Sequence, residues 1–204
     1  MNITDEGIRR KNALLASHYD EDFYKKTIDD SLRSARKSAA HLVTLHRPRS
    51  VIDFGCGRGT WLKAFSEHGA QRLVGLDGCW NSQDAMIDSS IEFIQCDLER
   101  IPPMAERFDL AISLEVGEHL SGDASQQLVS ALCTASDMVL FSAAIPGQGG
   151  ENHINEQFQS YWATMFVKRS ILLSTFFGQN YGWITTSLYT TSKICFYTLT
   201  VMLP

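Results

Sequence analysis

One short segment constrains the fold of this chain more than any other: an apolar run, a group of glycines and a helical stretch, in direct succession. Residues 51–54 are apolar apart from Asp53, and residues 61–68 have a helical pattern. Between them three glycines alternate with other residues: Gly55, Gly57 and Gly59. This order predicts a buried strand, a tight turn and a helix N-terminus. Because glycine has no side chain, the backbone of such a turn can approach a bound ligand closely.

Further strand-like segments follow at intervals that suit alternation with helices. The predicted strands cover residues 72–77, 91–97, 108–114 and 138–143, and residues 121–135 form the clearest helix between them. Strands separated by helical segments pair in parallel through right-handed crossovers. The sequence therefore predicts an α/β fold, a Rossmann-like three-layer sandwich with a mostly parallel sheet.

The two ends of the chain differ from this central part. Residues 31–46 have an amphipathic helical pattern, which predicts N-terminal helices. The tail after Ser170 contains one charged side chain, Lys193, and residues 193–201 are its best strand candidate. We expect the tail either to complete the sheet with an antiparallel C-terminal strand or to be buried in a homodimer.

The length of 204 residues suits a single domain. We expect it to comprise an N-terminal helical cap over residues 1–46 and a cofactor-binding core over residues 50–145. Residues 146–204 would then supply a substrate loop, a helix and the C-terminal strands.

Composition narrows the cellular setting and the partners. A net charge of -5 disfavours duplex nucleic acid as the main partner, although basic side chains crowd the first fifty positions. Those basic residues predict either a solvated helix face or a patch that steers a substrate or binds nucleic acid. Five dispersed cysteines without C-x-x-C pairs favour a reducing cytoplasm. No apolar run reaches the length of about eighteen residues that a transmembrane helix needs.

Acidic residues end the second and third predicted strands. Asp77 lies 22 residues after Gly55, where a carboxylate can accept both hydroxyl protons of a ribose. The alternative is an ordinary strand-end residue in a turn with Gly78. Asp97 ends the third strand, and its alternative is a cap of the following turn.

The glycine spacing separates two classes of nucleotide site. A dinucleotide site reads G-x-G-x-x-G, in which the third glycine stands three positions after the second. Here Gly59 stands two positions after Gly57, with one residue between them. With its acid-tipped strands, the segment over residues 50–145 resembles the class I S-adenosylmethionine-dependent methyltransferases. The resemblance implies S-adenosylmethionine as cofactor, bound by Asp53, Gly55, Cys56, Gly57, Asp77, Gly78, Asp97, Leu98, Glu115 and Val116. It also implies that the end of the fourth strand reaches the transferred methyl group.

A second cluster, Glu115-x-x-Glu118-His119, follows the fourth strand. It resembles the E-x-x-E-H of ubiquinone-pathway O-methyltransferases and of methyltransferases that modify the 3′-terminal ribose of small RNAs. In those relatives the cluster can hold a divalent metal, helped in the RNA enzymes by a later histidine. His153 is such a histidine here, and the strand ends of a parallel sheet share one edge. We therefore expect His153 near Glu118 and His119.

Three interpretations of this cluster stay open. Glu115, Glu118, His119 and His153 would suit Mn, Fe, Co or Zn better than Mg, and the metal would lower the pKa of a substrate hydroxyl. Without a metal, His119 would act as a general base. Alternatively, the cluster is structural, with Glu118 complementing a helix N-terminus. In either enzymatic case we expect His119, Glu115 and His153 to be the catalytic residues.

The leading hypothesis is transfer of a methyl group to a hydroxyl or carboxyl oxygen of a small-molecule acceptor. An RNA terminal ribose or a nitrogen acceptor is an alternative within the class. A nicotinamide-dependent oxidoreductase and a non-catalytic partner protein with this fold are alternatives outside it. The glycine-rich residues 146–155 are predicted to form a loop that covers the substrate.

Overall fold

In the described part of the chain, seven strands form one sheet with helices on its faces. The computed structural model describes residues 21–169 and the backbone of residues 172–177 and 194–199. The strands are β1 (Ser50–Phe54), β2 (Arg72–Asp77), β3 (Glu92–Gln95), β4 (Leu110–Leu114), β5 (Met138–Ser142), β6 (Leu172–Phe177) and β7 (Ile194–Leu199). The helices are α1 (Glu21–Leu45), α2 (Thr60–Ser66), α3 (Gly122–Ala135) and α4 (Gln159–Val167). Residues 1–20 of the predicted cap and the predicted homodimer contact of the tail lie outside the described residues.

The strand order is β3-β2-β1-β4-β5-β7-β6, and each neighbouring pair runs in parallel. β1 therefore lies between β2 and β4, where the chain reverses the direction in which it adds strands. In open parallel sheets of this kind, ligands bind outside the carboxyl ends of the strands at this switch point. The predicted Rossmann-like fold is confirmed, and its switch point lies at the glycine loop.

The predicted antiparallel C-terminal strand is wrong. β7 pairs in parallel with β5, where Met138 lies opposite Ile194, and in parallel with β6, where Leu172 lies opposite Ile194. The apolar and aromatic pattern of the tail predicts a strand but carries no information about its direction. Residues 178–193 separate β6 from β7. This connection is longer than the roughly twelve residues that two parallel strands need between them.

The sheet separates two apolar cores, because successive side chains of a strand point to opposite faces. Val51 packs on the face covered by α1 and α2. Leu62 of α2 is fully buried on this face. Ile52 packs on the other face, against α3 and α4. On that face Trp162 and Phe141 lie with their ring centroids 5.1 Å apart. Burial of each such side chain contributes roughly 1.5–3 kcal/mol, so the two cores fix the positions of the strand ends.

One helix boundary differs from the sequence prediction. α1 begins at Glu21, about ten residues before the predicted start, whereas α4 begins at Gln159, after the predicted loop of residues 146–155. Backbone N–H groups before α4 bond to the segments that follow β4 and β5: those of Ile154 and Asn155 to Glu118, and that of Gln157 to Ala144. Within the described part of the chain, no helix combines the length and the apolar character that crossing a membrane requires.

Candidate functional site

The loop after β1 depends on glycine at each of its three glycine positions. All three adopt positive φ angles: 86° at Gly55, 51° at Gly57 and 80° at Gly59. A β-carbon at Gly55 would lie 2.3 Å from Cγ2 of Val116, and one at Gly59 would lie 2.7 Å from Cδ1 of Ile91. Both the backbone angles and the close packing therefore exclude side chains at these positions. We call the loop Gly55–Gly59 the glycine cradle.

Asp77, at the end of β2, joins this loop to the turn that follows β2. Its Oδ2 accepts a hydrogen bond from the Gly57 N–H at 2.7 Å, and its Oδ1 accepts one from the Gly78 N–H at 2.7 Å. Burial raises the pKa of Asp77, and these two N–H donors partly oppose the rise. The carboxylate thus lies where the sequence predicts a partner for ribose hydroxyls.

Asp53 and Cys56 are buried beneath the loop. Burial raises the pKa of Asp53 well above its ordinary value, and the charge of Asp77 adds to the effect. Burial also raises the pKa of the Cys56 thiol, whose sulfur packs against Gly75 of β2. A buried thiol with a raised pKa is a poor nucleophile.

A small cavity lies beyond Asp77, between the turn after β2 and the end of β3. It has a volume of about 80 Å³ and is lined by Gly78, Cys79, Trp80, Gln95 and Asp97. Asp97 is exposed there, and its Oδ1 also accepts the Glu99 N–H at 3.0 Å. The predicted turn cap is thus present, whereas a contact of Asp97 with the cofactor stays a prediction.

Leu98, which the resemblance assigns to the cofactor, is partly buried against the core on the α3 and α4 face. Its role in cofactor binding stays a prediction. Trp80 was not predicted, although it lines the cavity. Its only signal in the sequence is an aromatic residue three positions after the acid that ends β2.

Glu115 ends β4 in an unusual backbone conformation. Its φ of 56° lies in the left-handed region, which residues other than glycine seldom adopt. Its Oε1 accepts the Ser142 hydroxyl at 2.7 Å, and its Oε2 accepts the Gln148 amide at 3.3 Å. The side chain thereby connects the ends of β4 and β5 to the glycine-rich loop.

Glu118, His119 and His153 converge beside it. One possible ligand atom from each residue lies within 4.8 Å of those of the other two. The Glu118 side chain is fully buried, and among the described residues neither of its oxygens has a hydrogen-bond partner. Nε2 of His153 lies 4.0 Å from Oε1 of Glu118, and the two imidazole centroids lie 4.8 Å apart. Burial, followed by the charge of Glu115, raises the pKa of Glu118 to about 8.

Each histidine of the cluster has an acceptor at Nδ1. His153 Nδ1 lies 2.9 Å from Oε1 of Glu156, and His119 Nδ1 lies 3.3 Å from the Asn152 carbonyl oxygen. Because both partners are acceptors, the neutral rings carry their proton on Nδ1 and their lone pair on Nε2. This is the arrangement of histidines that bind metals, in which the second ring nitrogen donates to a carboxylate or carbonyl.

The glycine-rich loop is fastened onto this cluster. The N–H groups of Ile154 and Asn155 both donate to the Glu118 carbonyl oxygen at 2.9 Å. The Asn155 side-chain amide donates to the Ser125 hydroxyl at 2.9 Å. These bonds fix residues 154 and 155 beside the segment that follows β4. They also bring His153 to Glu118, as the sequence predicts.

The structure therefore groups a smaller ligand set than the predicted one. Glu115 lies outside the group of three, because Ser142 and Gln148 hold its oxygens. Ligand atoms that each lie about 2.1 Å from one ion can be no more than roughly 4.2 Å apart. An ion would thus draw Glu118, His119 and His153 slightly closer together.

Comparison with known proteins agrees with this geometry. Residues 51–135 match the family model of the methyltransferase domain. The nodulation protein NoeA of Rhizobium meliloti (strain 1021) is 36% identical over 53 residues, which make up 26% of this chain and 11% of that protein. The chain thus spans about a tenth of the length of this curated relative.

Two solved structures share the fold. Magnesium protoporphyrin IX methyltransferase from Synechocystis PCC 6803, determined with bound S-adenosylhomocysteine, is 18% identical, with a TM-score of 0.55 over 72% of this chain and 76% of that chain. An O-methyltransferase family protein from Burkholderia thailandensis is 11% identical, with a TM-score of 0.52 over 84% of this chain and 59% of that chain. At these identities the likeness concerns the fold alone.

Proposed function

We propose that the protein uses S-adenosylmethionine to transfer a methyl group to an oxygen of a small-molecule acceptor, because residues 51–135 match the family model of the methyltransferase domain. One observation carries the proposal: Glu118, His119 and His153 converge at the sheet edge that carries the glycine cradle. An acceptor bound beside these residues would thus lie on the same side of the sheet as the cofactor.

The residues at the switch point suit this cofactor. The loop Gly55–Gly59, whose positive φ angles favour glycine, would present its backbone to the cofactor. Asp77 would accept the ribose hydroxyls, and Asp97 lines the cavity at the far side of Gly78. S-adenosylmethionine supplies a methyl group already activated on a sulfonium, so the protein has chiefly to align the two reactants.

The residues expected beside the acceptor include groups that can take up the proton of an acceptor hydroxyl. We assign His119 and His153 the role of presenting Nε2 lone pairs, with Asn152 and Glu156 fixing their tautomers. Two imidazoles and one carboxylate suit a divalent ion such as Zn, Fe or Mn. When bound, such an ion would lower the pKa of the acceptor hydroxyl. In a metal-free enzyme, His119 would instead take the proton as general base.

Charge favours a small acceptor over RNA. Residues 108–167 contain seven acidic residues and no lysine or arginine. Among them, Glu115 and Glu156 act by charge on Glu118 of the cluster. A polyanion gains its affinity from lysine and arginine contacts with its phosphates. These two carboxylates would oppose the binding of a polyanion, so a neutral or cationic acceptor suits the cluster better.

Calorimetric titration with S-adenosylhomocysteine and with NAD tests the class of enzyme. The proposal requires binding of S-adenosylhomocysteine, and binding of NAD alone would refute it. The same titration with single-stranded RNA tests the acceptor. A strong, salt-dependent affinity for RNA would mean that the acceptor is RNA and not a small molecule.

The metal is tested separately. Elemental analysis of purified protein should find a divalent ion, and a strong chelator should abolish methyl transfer that added Zn²⁺ or Mn²⁺ restores. Full activity in chelator, without any bound ion, would mean that the enzyme needs no metal and that His119 is the general base.

A further inference from the structure

We propose that Trp80 gates the nucleoside end of the cofactor site: its indole holds the Asp77 carboxylate and fills the adjoining space, and must move away before a nucleoside binds. The inference rests on the proposed function for the identity of the nucleoside. Its evidence, however, lies in the contacts of Trp80 itself.

The first contact is a hydrogen bond. The Asp77 carboxylate has donors in the N–H groups of Gly57 and Gly78 and, in addition, in the side chain of Trp80. Asp77 is only 6% exposed, so a further donor such as a ribose hydroxyl has little access to it. The two backbone donors belong to tight turns, whereas the indole can leave by rotation about its side-chain bonds. Trp80 is therefore the donor that a ribose would displace.

The second contact is steric. The Trp80 ring lies so close to Gly78 that a β-carbon there would be 2.2 Å from Cη2. The space that remains beside the ring is about 80 Å³. Pockets that enclose small-molecule ligands typically measure roughly 300–1,000 Å³. The cavity thus accepts a nucleoside base only after the indole swings out.

The backbone next to Trp80 is fixed, which confines the movement to the side chain. Asn81 is buried, and its Oδ1 accepts hydrogen bonds from the Arg58 guanidinium at 2.8 Å and from the Ser82 N–H at 3.0 Å. Its amide donates to the Gly57 carbonyl oxygen. These bonds fasten the residue after Trp80 to the glycine loop. A gate of this kind would slow cofactor entry without rearranging the cradle.

The substitution Trp80→Phe tests the gate. Phenylalanine keeps an aromatic ring for contact with a base but cannot donate to Asp77. Loss of one competing hydrogen bond to a carboxylate corresponds to about tenfold in an equilibrium constant. We therefore expect the variant to bind S-adenosylhomocysteine about tenfold more tightly than the wild type in calorimetry, with a faster association rate.

Tryptophan fluorescence supplies a second readout. Stopped-flow mixing of the wild type with S-adenosylhomocysteine should change the emission as the indole leaves Asp77, and W80F should lack this change. Trp61→Phe is the matched control, because Trp61 packs against the core on the α1 and α2 face. It should keep both the wild-type affinity and the fluorescence change.

Three results separate the possible failures. If W80F binds S-adenosylhomocysteine as the wild type does, or more weakly, Trp80 is not a gate. An unaltered fluorescence change in W80F likewise overturns the inference. If the wild type itself does not bind S-adenosylhomocysteine, the proposed function fails instead.

Discussion

The buried carboxyl of Glu118 predicts how the stability of the protein depends on pH. Its pKa is about 8 in the folded protein, compared with an ordinary value of 4.5. Between these values the folded protein keeps a proton that the unfolded chain has released, so stability is full below pH 4.5 and falls as the pH rises toward 8. At about 1.36 kcal/mol for each pH unit, the full loss is about 5 kcal/mol. A typical domain has roughly 5–15 kcal/mol in total, so the effect is readily measured.

The substitution Glu118→Gln isolates this contribution, because an amide does not ionise in this range. We expect chemical denaturation of metal-free protein, in chelator, to show the wild type losing several kcal/mol of unfolding free energy between about pH 5 and about pH 8.5. The variant should lose far less over the same range. Glu151→Gln is the matched control, since Glu151 is an exposed carboxylate on the adjoining loop. It should retain the wild-type dependence.

Two results would refute this reasoning. One is wild-type stability that stays level or increases across this range. This result would mean that Glu118 has its ordinary pKa in the folded protein. The other is an equally steep decline in E118Q, which would assign the dependence to another group. An ion bound by the cluster should flatten the wild-type decline, because it replaces the proton on Glu118.

The remaining predictions concern the cradle, the ribose partner and the histidine support. Asp77→Asn should weaken S-adenosylhomocysteine binding at least about tenfold in calorimetry, because a carboxylate accepts hydroxyl protons more strongly than an amide. Gly55→Ala should destabilise the fold by about 2–4 kcal/mol in denaturant, since it combines a positive φ with a clash against β4's end. Gly69→Ala should cost only about 1 kcal/mol, because Gly69 has a positive φ but no atom within 4 Å of its would-be β-carbon. Glu156→Gln should lower metal affinity about 10–100-fold by removing the carboxylate that orients His153.

Each of these predictions has a contradicting result. Unchanged affinity in D77N would remove Asp77 from the ribose site. Equal costs for G55A and G69A would show that the clash with Val116 relaxes freely. Metal affinity unchanged in E156Q would mean that His153 does not bind the ion through Nε2.

Much of the fold could be predicted from the sequence, because its signals are local. The apolar run before Gly55 predicts the first strand. The acids that end the predicted second and third strands indicate the edge of the sheet where the cofactor would bind. Each of these patterns is only a few residues long. The direction of β7 could not be predicted, because alternation within residues 194–199 is the same for either direction. The direction of β7 depends on the connection from β6 and on the pairing with β5, and both involve residues distant from β7 in the sequence.

The site was predictable in part for the same reason. His153 could be placed near Glu118 because parallel strand ends share one edge. The separation of Glu115 from the cluster could not be foreseen, since it depends on its left-handed backbone and on Ser142 of a distant strand. Trp80 was missed because a single aromatic residue in a turn carries no pattern of its own.

The central claim is tested most directly by following the methyl group itself. Protein incubated with S-adenosylmethionine labelled in the methyl group and with a cell extract should transfer label to the small-molecule fraction. His119→Ala, which keeps the cofactor residues intact, should lose this transfer while still binding S-adenosylhomocysteine. Label in the RNA fraction would contradict the proposed acceptor. No transfer by wild-type protein that binds S-adenosylhomocysteine, or equal transfer by H119A, would contradict the account of the catalytic cluster.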